Sequence, residues 1–415
     1  MYKLISFLSI VLRVTNSLAQ DSLLQVELKK HIKLLNFSEW QISGDGFEWI
    51  KQESEEAQFV LIGEEHGLKE VPQFVTHLSE EIQAYGFNHF VTEAGPNTSI
   101  DLLKALQSDN YSESFKAYFD QNPLGIAFYF WKNETEMLYK IYQNFGASDQ
   151  TLWPIDQEFI VSLRPYFKHL ENKAPDADSK ALALKHYEKA DSAFNKAIID
   201  KNFGGVLLYS LKEEDFSKLR KEFSGSPESV QIINDLQESR HIYSLFAKGK
   251  IYQSNLDRIA HMKENFHRFY NKAIQNGESK PKAVFKFGMT HMFRGRSMLN
   301  IYDIGNMASE LAEANDSKSF HIALLPKEGT VNQYFLFNDP AAKQAPYDGK
   351  KSFKFAKPFF NLVENNDDWL VVDLKPIREL LFKNKIKDLD PALENFIWSF
   401  DCAIVMPTVT AAENH

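Results

Sequence analysis

The sequence predicts an α/β fold: a mostly parallel sheet flanked by helices, with a helical insertion that caps the carboxyl edge of the sheet. Short, continuously apolar runs recur along the chain, a pattern typical of strands buried on both faces of a parallel sheet. Between the first two runs, residues 71–85 place apolar side chains at three- and four-residue spacing, which indicates an amphipathic helix. Such β-α-β alternation favours parallel pairing. The predicted strands are Phe59–Ile62, His89–Thr92, Thr151–Ile155, Ala283–Phe287, His321–Leu325 and Trp369–Val372.

The middle of the chain differs from its flanks. Residues 174–276 contain few strand signals and many helix-forming residues, so we expect a helical insertion there. Gly204-Gly205 and the Gly-Ser-Pro sequence at 225–227 mark turns within it. The sequence therefore divides into a signal segment (1–19), an N-terminal part of the α/β domain (20–173), the helical insertion (174–276) and a C-terminal part of the α/β domain (277–415).

The first 19 residues have the features of a cleavable secretory signal. Lys3 gives a positive start, Leu4–Leu12 is an apolar run too short to span a bilayer, and Ser17–Ala19 resembles a cleavage site. An amphipathic helix is the alternative, because Arg13 interrupts the apolar stretch. The expectation is a secreted or periplasmic protein. No later run of about 18 apolar residues occurs, so no transmembrane segment is predicted.

The composition is that of a globular protein with a large hydrophobic core. A chain of 415 residues with 44% hydrophobic residues can bury a large core, and its net charge of -9 disfavours nucleic acid as a partner. The single cysteine, Cys402, excludes an intramolecular disulfide and lies in an apolar run where a buried thiol is expected. Five histidines lie in polar stretches and are expected at the solvated surface: His31, His77, His169, His186 and His241.

Acidic residues and histidines follow four of the predicted strands. The carboxyl ends of parallel strands meet at one edge of a sheet, where open α/β sheets bind ligands, so we expect these residues to lie together. Two structural alternatives exist, since Glu64 would also suit a helix start and His291 would also suit a core position. In chain order the residues are Glu64, Glu65 and His66 after the first strand, Glu93 after the second, Asp156 after the third and His291 after the fourth.

Three short motifs occur in a fixed order along the chain. They are GEEHG at 63–67, NLDRIAHMKEN at 255–265 and GMTHMFRG at 288–295. The first and third resemble the two histidine elements of the erythromycin-esterase-like and ChaN/TIKI-like superfamily. The second resembles the R-D-x-x-M-A-x-N helix of erythromycin esterases, with the Met and the Asn retained. The resemblance spans about residues 57–325, and the scaffold of the superfamily is what it implies.

Two departures from the superfamily pattern limit what the resemblance implies about the substrate. Only Glu65 separates Glu64 from His66, whereas esterases of this family usually have two or three residues there. The Arg-Asp pair of the helix motif appears in the reverse order, as Asp257-Arg258. Macrolide hydrolysis is therefore not implied.

The resemblance implies a hydrolase with His and Glu at its centre and no serine nucleophile. His66 would deprotonate a water while Glu64 or Glu93 holds its other nitrogen. His291 would act as an acid or donate to a developing oxyanion, and Arg258 would bind a substrate carboxylate or that oxyanion. The catalytic candidates are Glu64, His66, Glu93, Arg258 and His291, and the substrate-binding candidates are Glu65, Asp156 and Arg294.

The same residue types also suit a metal ion. Two histidines and one or two carboxylates can bind Zn, Mn or Fe(II), and the candidate ligands are Glu64, His66, Glu93 and His291. The TIKI-like branch implies metal-dependent peptide cleavage, and the ChaN-like branch implies haem or iron binding. A third alternative is a secreted binding protein that keeps the pocket without catalysis. The partner expected is a small molecule or a peptide, and the sequence leaves the substrate, the cofactor and the oligomeric state open.

Overall fold

The computed structural model describes residues 23–38, 41–333, 340–364 and 368–415, so the predicted signal segment lies outside the described residues. In these ranges the chain forms ten strands: β1 (Ile32–Ser38), β2 (Gln41–Ser43), β3 (Ala57–Glu64), β4 (Phe87–Thr92), β5 (Leu152–Pro154), β6 (Lys282–Gly288), β7 (Lys318–Val331), β8 (Ala345–Asp348), β9 (Trp369–Asp373) and β10 (Cys402–Val409).

The helices of the same ranges are α1 (residues 23–30), α2 (Asp45–Glu55), α3 (Glu70–Ile82), α4 (Ser99–Leu106), α5 (Tyr111–Gln121), α6 (Lys132–Asn144), α7 (Leu163–Asn172), α8 (Ala177–Asp200), α9 (Leu207–Ser210), α10 (Glu213–Glu222), α11 (Pro227–Ala247), α12 (Ile251–Gln275), α13 (Ile304–Ala314), α14 (Gly349–Ser352), α15 (Lys357–Phe360), α16 (Lys375–Phe382) and α17 (Pro391–Ser399). Within the described part of the chain, no helix has the length and apolar composition needed to cross a membrane.

The chain divides into two compact units. The first unit comprises the described residues of Met1–Gly86, Val284–Val331 and Gln344–Ala411. The second comprises those of Phe87–Ala283, Asn332–Lys343 and Ala412–His415. The domain boundaries drawn from the sequence stay a prediction.

The first unit is built on a mixed sheet with the strand order β2-β1-β9-β10-β7-β3-β6. At its centre, β3 and β10 both pair in parallel with β7. Antiparallel pairing is found for β1 with β2 and β9, for β9 with β10, and for β8 with the end of β7. Every residue of β3 is buried, as expected for an apolar strand of a covered sheet. The α/β class is confirmed: helices flank a sheet whose central strands are parallel, and its antiparallel pairs lie toward the edges.

All six strands predicted from apolar runs exist, and their ends lie within three residues of the predicted ends except for β7, which continues six residues beyond Leu325. The predicted helix at 71–85 is α3, whose apolar side is buried. The apolar run around Cys402 forms β10, whereas β1, β2 and β8, which are short or carry polar residues at exposed positions, were not predicted. An edge strand with one solvated face lacks the continuous apolar run that reveals a central strand.

Buried polar residues give one confirmed expectation and two wrong ones. Cys402 is a free, buried thiol in β10, and burial raises its pKa well above the usual value. His169 and His186 were expected at the surface, but both are buried. His169 Nε2 lies 2.9 Å from Asp101 Oδ1, and His186 Nδ1 donates to the Leu182 carbonyl oxygen. Helix packing buries these polar helical stretches, and one nitrogen of each ring has a hydrogen-bond partner.

The second unit contains the parallel strands β4 and β5 and the helices α4 to α12. The predicted helical insertion at 174–276 is confirmed as helical, since α8 to α12 occupy it. Two of these helices begin with side-chain caps: Asp176 accepts from the Ser179 amide, and Ser226 accepts from the Ser229 amide. Capping residues thus fix where α8 and α11 begin.

Helix α12 is fixed to the end of β5 by aromatic packing and one amide side chain. Trp153 of β5 is fully buried and contacts the rings of Phe266, Phe269 and Tyr270 on α12. Asn265 Nδ2 donates to the carbonyl oxygen of Ile155, 2.9 Å away. These contacts set the rotation of α12, so a residue two turns earlier, Arg258, is placed at the carboxyl ends of β4 and β5.

Candidate active site

His66 and Glu64 form a hydrogen-bonded pair at the carboxyl end of β3. His66 Nδ1 lies 2.9 Å from Glu64 Oε1, and Lys286 Nζ of β6 donates to the same oxygen at 2.5 Å. The Glu64 side chain is fully buried, whereas 26% of the His66 side chain is exposed. Burial raises the pKa of Glu64, but the charges of Lys286 and His66 outweigh it and lower the pKa below its usual value. Glu64 is therefore a buried carboxylate that stays ionised.

The turn that carries His291 lies against the end of β3. A Cβ atom on Gly63 would approach Met289 Cα to 3.0 Å, so the small glycine allows β3 and the turn after β6 to meet. His291 Nδ1 lies 3.1 Å from Asp303 Oδ2. Asp303 caps α13 through its other oxygen, which accepts from the Ile304 amide at 2.7 Å. His291 is therefore oriented by a carboxylate that a helix start holds in place.

Glu65 and Arg294, predicted as substrate contacts, have different environments. Glu65 is partly exposed, and burial raises its pKa. Arg294 Nη2 donates to Asp401 Oδ2 at 2.7 Å, and Arg378 shares that carboxylate. Although burial raises the pKa of Asp401, the charge of Arg294 holds it well below its usual range. Arg294 is thus part of an ion-pair network, and we leave it out of the proposed site.

Glu93, Asp156 and Arg258 meet in the second unit, at the ends of β4 and β5. Arg258 donates to both oxygens of Asp156, at 2.9 and 2.5 Å, and to Glu93 Oε1 at 3.1 Å. Burial lowers the pKa of Arg258, but the charge and hydrogen bonds of Asp156 raise it above the usual value. The guanidinium binds two carboxylates, so its charge is already compensated. A local partner on its own helix, such as Asp257, is not what it binds.

These three side chains line a cavity of about 290 Å³ in the second unit. Its wall also includes the rings of Phe128 and Tyr243. Burial raises the pKa of Tyr243 above its usual value, which keeps the phenol neutral. The cavity therefore combines apolar rings with two carboxylates whose oxygens can accept hydrogen bonds from hydroxyl or amino groups.

Glu158, two residues beyond Asp156, is buried and binds the loop that follows β4. Its Oε1 accepts from the backbone amide and the side-chain amide of Asn97, at 2.7 and 3.0 Å. Burial raises the pKa of Glu158 to about 7. A Cβ atom on Gly95 would meet the Glu158 carboxyl group at 2.5 Å, so only glycine fits there. Glu158 thus fixes the loop that follows Glu93.

Lys286, Asp303 and Glu158 contribute to these clusters but were not predicted from the sequence. Lys286 had a usable signal, because a lysine between Phe285 and Phe287 in a buried strand needs a charged partner. Asp303 and Glu158 had none that distinguishes them from ordinary capping or loop residues. Glu64, one of the two carboxylates offered for His66, is within hydrogen-bond distance of its ring.

Among the described residues, the donor atoms around His66 do not form a metal site. Glu64 and His66 supply two donors, and Lys286 places an ammonium group on the Glu64 oxygen that faces His66. Protein zinc sites use at least three side-chain ligands. Across residues 23–38, 41–333, 340–364 and 368–415, no three His, Cys, Asp or Glu side chains group as a metal site. The described residues do not fit a bound metal ion.

Comparison with solved structures identifies the fold. A crystal structure of a Bacillus cereus protein is similar over 95% of this chain and 99% of that chain, with a TM-score of 0.59 and 16% identity. An erythromycin esterase variant in its open conformation is similar over 92% of this chain and 98% of that chain, with a TM-score of 0.59 and 13% identity. The chain therefore has the fold of an erythromycin esterase, as the three motifs predicted. No family model matches it.

Two other similarities are more limited. A haem-binding ChaN structure from Campylobacter jejuni has a TM-score of 0.30 and 14% identity, over 74% of this chain and 94% of that chain, and carries no argument for haem binding here. A glycine–tRNA ligase beta subunit from Mannheimia succiniciproducens is 30% identical over 140 residues, which are 34% of this chain and 18% of that protein. The chain thus spans less than a fifth of that relative's length.

The raised pKa of Glu158 predicts a specific pH dependence of stability. The folded state holds this proton more tightly than the unfolded state, so the stabilisation is complete below about pH 4.5 and is lost as pH rises through about 7. Glu158→Gln keeps the acceptor oxygen and removes the titration. We expect it to exceed the wild type in free energy of unfolding by about 3 kcal/mol at pH 8, and by little at pH 4.5.

Urea unfolding at both pH values measures this difference. Glu188→Gln, at an exposed position of α8, makes the same chemical change without a buried charge and serves as the control. Equal pH dependence in the wild type and Glu158→Gln would contradict a titrating Glu158.

Proposed function

We propose that the protein is a hydrolase of small-molecule esters or amides in which His66 and Glu64 activate water. One observation carries the proposal: the His66 imidazole binds a fully buried carboxylate at the end of β3, and Lys286 keeps that carboxylate ionised. A carboxylate on Nδ1 holds the proton there and raises the basicity of Nε2. Nε2 can then take a proton from a water as its oxygen attacks a carbonyl carbon.

In this proposal the second hydrogen-bonded pair, His291 and Asp303, supplies the general acid. His291 is oriented by Asp303, as His66 is by Glu64, but only 9% of its side chain is exposed against 26% for His66. We assign the base to His66 because water reaches the more exposed ring more easily. His291 then gives a proton to the leaving alcohol or amine when the tetrahedral intermediate collapses. The fold shared with an erythromycin esterase supports this class of reaction.

The cavity of the second unit is proposed to bind a small molecule with hydroxyl or amino groups. Glu93 and Asp156 offer acceptor oxygens there, and the rings of Phe128 and Tyr243 offer apolar contact. The guanidinium of Arg258 already donates hydrogen bonds to both carboxylates, which compensate its charge. We therefore propose that Arg258 positions the two carboxylates and does not itself bind a substrate anion. A secreted or periplasmic location stays a prediction.

Removal of the proposed base tests the function directly. His66→Ala is expected to lower kcat/KM on p-nitrophenyl acetate or butyrate by roughly 10²–10⁴, the usual contribution of a general base. The control is His267→Ala, at an exposed position of α12, which should keep the wild-type rate. A His66→Ala variant with full activity contradicts the mechanism. A wild-type protein that hydrolyses neither esters nor amides of a broad panel would favour the binding protein.

Lys286 provides a test through the pH profile. In Lys286→Met, burial acts on Glu64 without the opposing cation, so the pKa of Glu64 rises. The acid limb of kcat/KM should then move to higher pH, while Lys286→Arg, which keeps the cation, should restore the wild-type profile. Circular dichroism establishes that each variant folds, because breaking a buried ion pair costs about 3–5 kcal/mol. An unchanged profile in folded Lys286→Met would remove Lys286 from the site.

Arg258→Lys separates positioning from stability. Lysine keeps the charge but loses the planar fork that holds both oxygens of Asp156. We expect kcat/KM to fall by about tenfold with the Tm preserved within a few degrees. Arg268→Lys is the matched control, since Arg268 lies on the same helix and also pairs with a buried acid, Asp235, but does not line the cavity. If Arg258→Lys and Arg268→Lys lose activity equally, the loss is caused by a general disturbance of α12 and not by a change in the cavity.

A further inference from the structure

A short basic segment stands out in this acidic chain. Residues 349–363 read GKKSFKFAKPFFNLV and contain four lysines and no acidic residue, although the chain has a net charge of -9. Phenylalanines alternate with the lysines in the same stretch. The segment follows β8 in the first unit and includes α14 and α15. The segment lies outside the three motifs at 63–67, 255–265 and 288–295.

This segment forms one side of a cavity of about 760 Å³ in the first unit. Three of its lysines, Lys351, Lys354 and Lys357, line the cavity, and a single acid, Asp390, faces them there. Asp390 caps α17 by accepting from the Ala392 and Leu393 amides, at 2.9 and 3.2 Å. The carboxylate of Asp390 is therefore partly neutralised by the amides at the start of α17. The three lysines leave the lining with a net positive charge.

The lysines are not explained by the stability of the fold. Lys351 pairs with Asp348 at 3.2 Å, but Lys354 and Lys357 form no ion pair with any residue of the described ranges. Both are exposed. Unpaired ammonium groups around one concave surface repel each other, and an anion in the cavity relieves that repulsion.

The apolar part of the cavity is held rigidly. Phe353 and Phe355 line it, and their rings contact each other edge to face at 6.0 Å. Phe355 also packs on Phe396 of α17, with ring centroids 5.0 Å apart. Aromatic surface fixed in this way gives a ring or alkyl group a preformed place to bind. Thr290, which directly precedes His291, also lines the cavity.

We propose that this cavity binds a small organic anion: an aromatic or alkyl group packed on Phe353 and Phe355, with its carboxylate, sulfate or phosphate between Lys354 and Lys357. The volume lies within the range of about 300–1,000 Å³ that is usual for small-molecule sites. Binding at this site does not depend on the proposed hydrolysis, so the two can fail separately.

The probe is 1-anilinonaphthalene-8-sulfonate, which carries an aromatic group and one anionic charge. Fluorescence titration of the full chain should give saturable binding, and Lys354→Gln/Lys357→Gln should weaken it about three- to tenfold, as expected for two solvent-exposed ion pairs. N-phenyl-1-naphthylamine, the same ring system without the sulfonate, should bind both proteins equally. The matched control is Lys218→Gln/Lys221→Gln, two exposed lysines at the same spacing on α10, which should bind the sulfonate like the wild type.

The site itself is checked by methyl NMR of Met298, which lines the cavity and is partly exposed. Its signal should shift on addition of the sulfonate in the wild type. The proposal is overturned if the Lys354/Lys357 variant binds as the wild type does, if both double variants weaken equally, or if the Met298 signal does not respond. Inorganic sulfate should not displace the probe at matched ionic strength, and displacement by it would overturn the role of the two rings.

Discussion

The ion pair between Lys286 and Glu64 is the constraint on which the first unit depends. Glu64 is fully buried, and a buried carboxylate without a cation takes up a proton and loses the charge that orients an imidazole. Lys286 comes from β6 and Glu64 from β3, so the pairing of strands and the chemistry of His66 rest on the same contact. Gly63 permits this arrangement, because a larger residue would push away the turn that carries His291.

The second unit applies the same rule with different residues. Asp156 and Glu93 are buried carboxylates at strand ends, and Arg258 compensates both from α12. The helix can deliver that guanidinium only because Trp153 and Asn265 fix its rotation against β5. The result is a preorganised cavity in which the carboxylates cannot move apart without breaking a bidentate hydrogen bond. The arrangement of these three side chains is therefore a consequence of helix packing.

The two cavities described for the chain have opposite chemistry, each within its own unit. One presents the acceptor oxygens of Glu93 and Asp156 among aromatic rings, and the other presents lysines among phenylalanines. Structures with the same fold share less than a fifth of their residues with this chain. At that level of identity the lining of each cavity can differ between proteins of one fold, so what each cavity binds depends on these side chains and not on the fold.

The sequence by itself determined the fold class, six of the strands, the helical insertion and the strand ends at which Glu64, His66, Glu93, Asp156 and His291 lie, because apolar runs and helical spacing are local patterns. It also named Arg258 as a site residue, but not the acids that it binds. Three pairings were decided only by the tertiary structure. Arg258 binds Asp156 and Glu93. Lys286 forms an ion pair with Glu64, and Asp303 orients His291. Those pairings join residues 12 to 222 positions apart, and they depend on strand register and helix rotation, which the packing of the whole core sets.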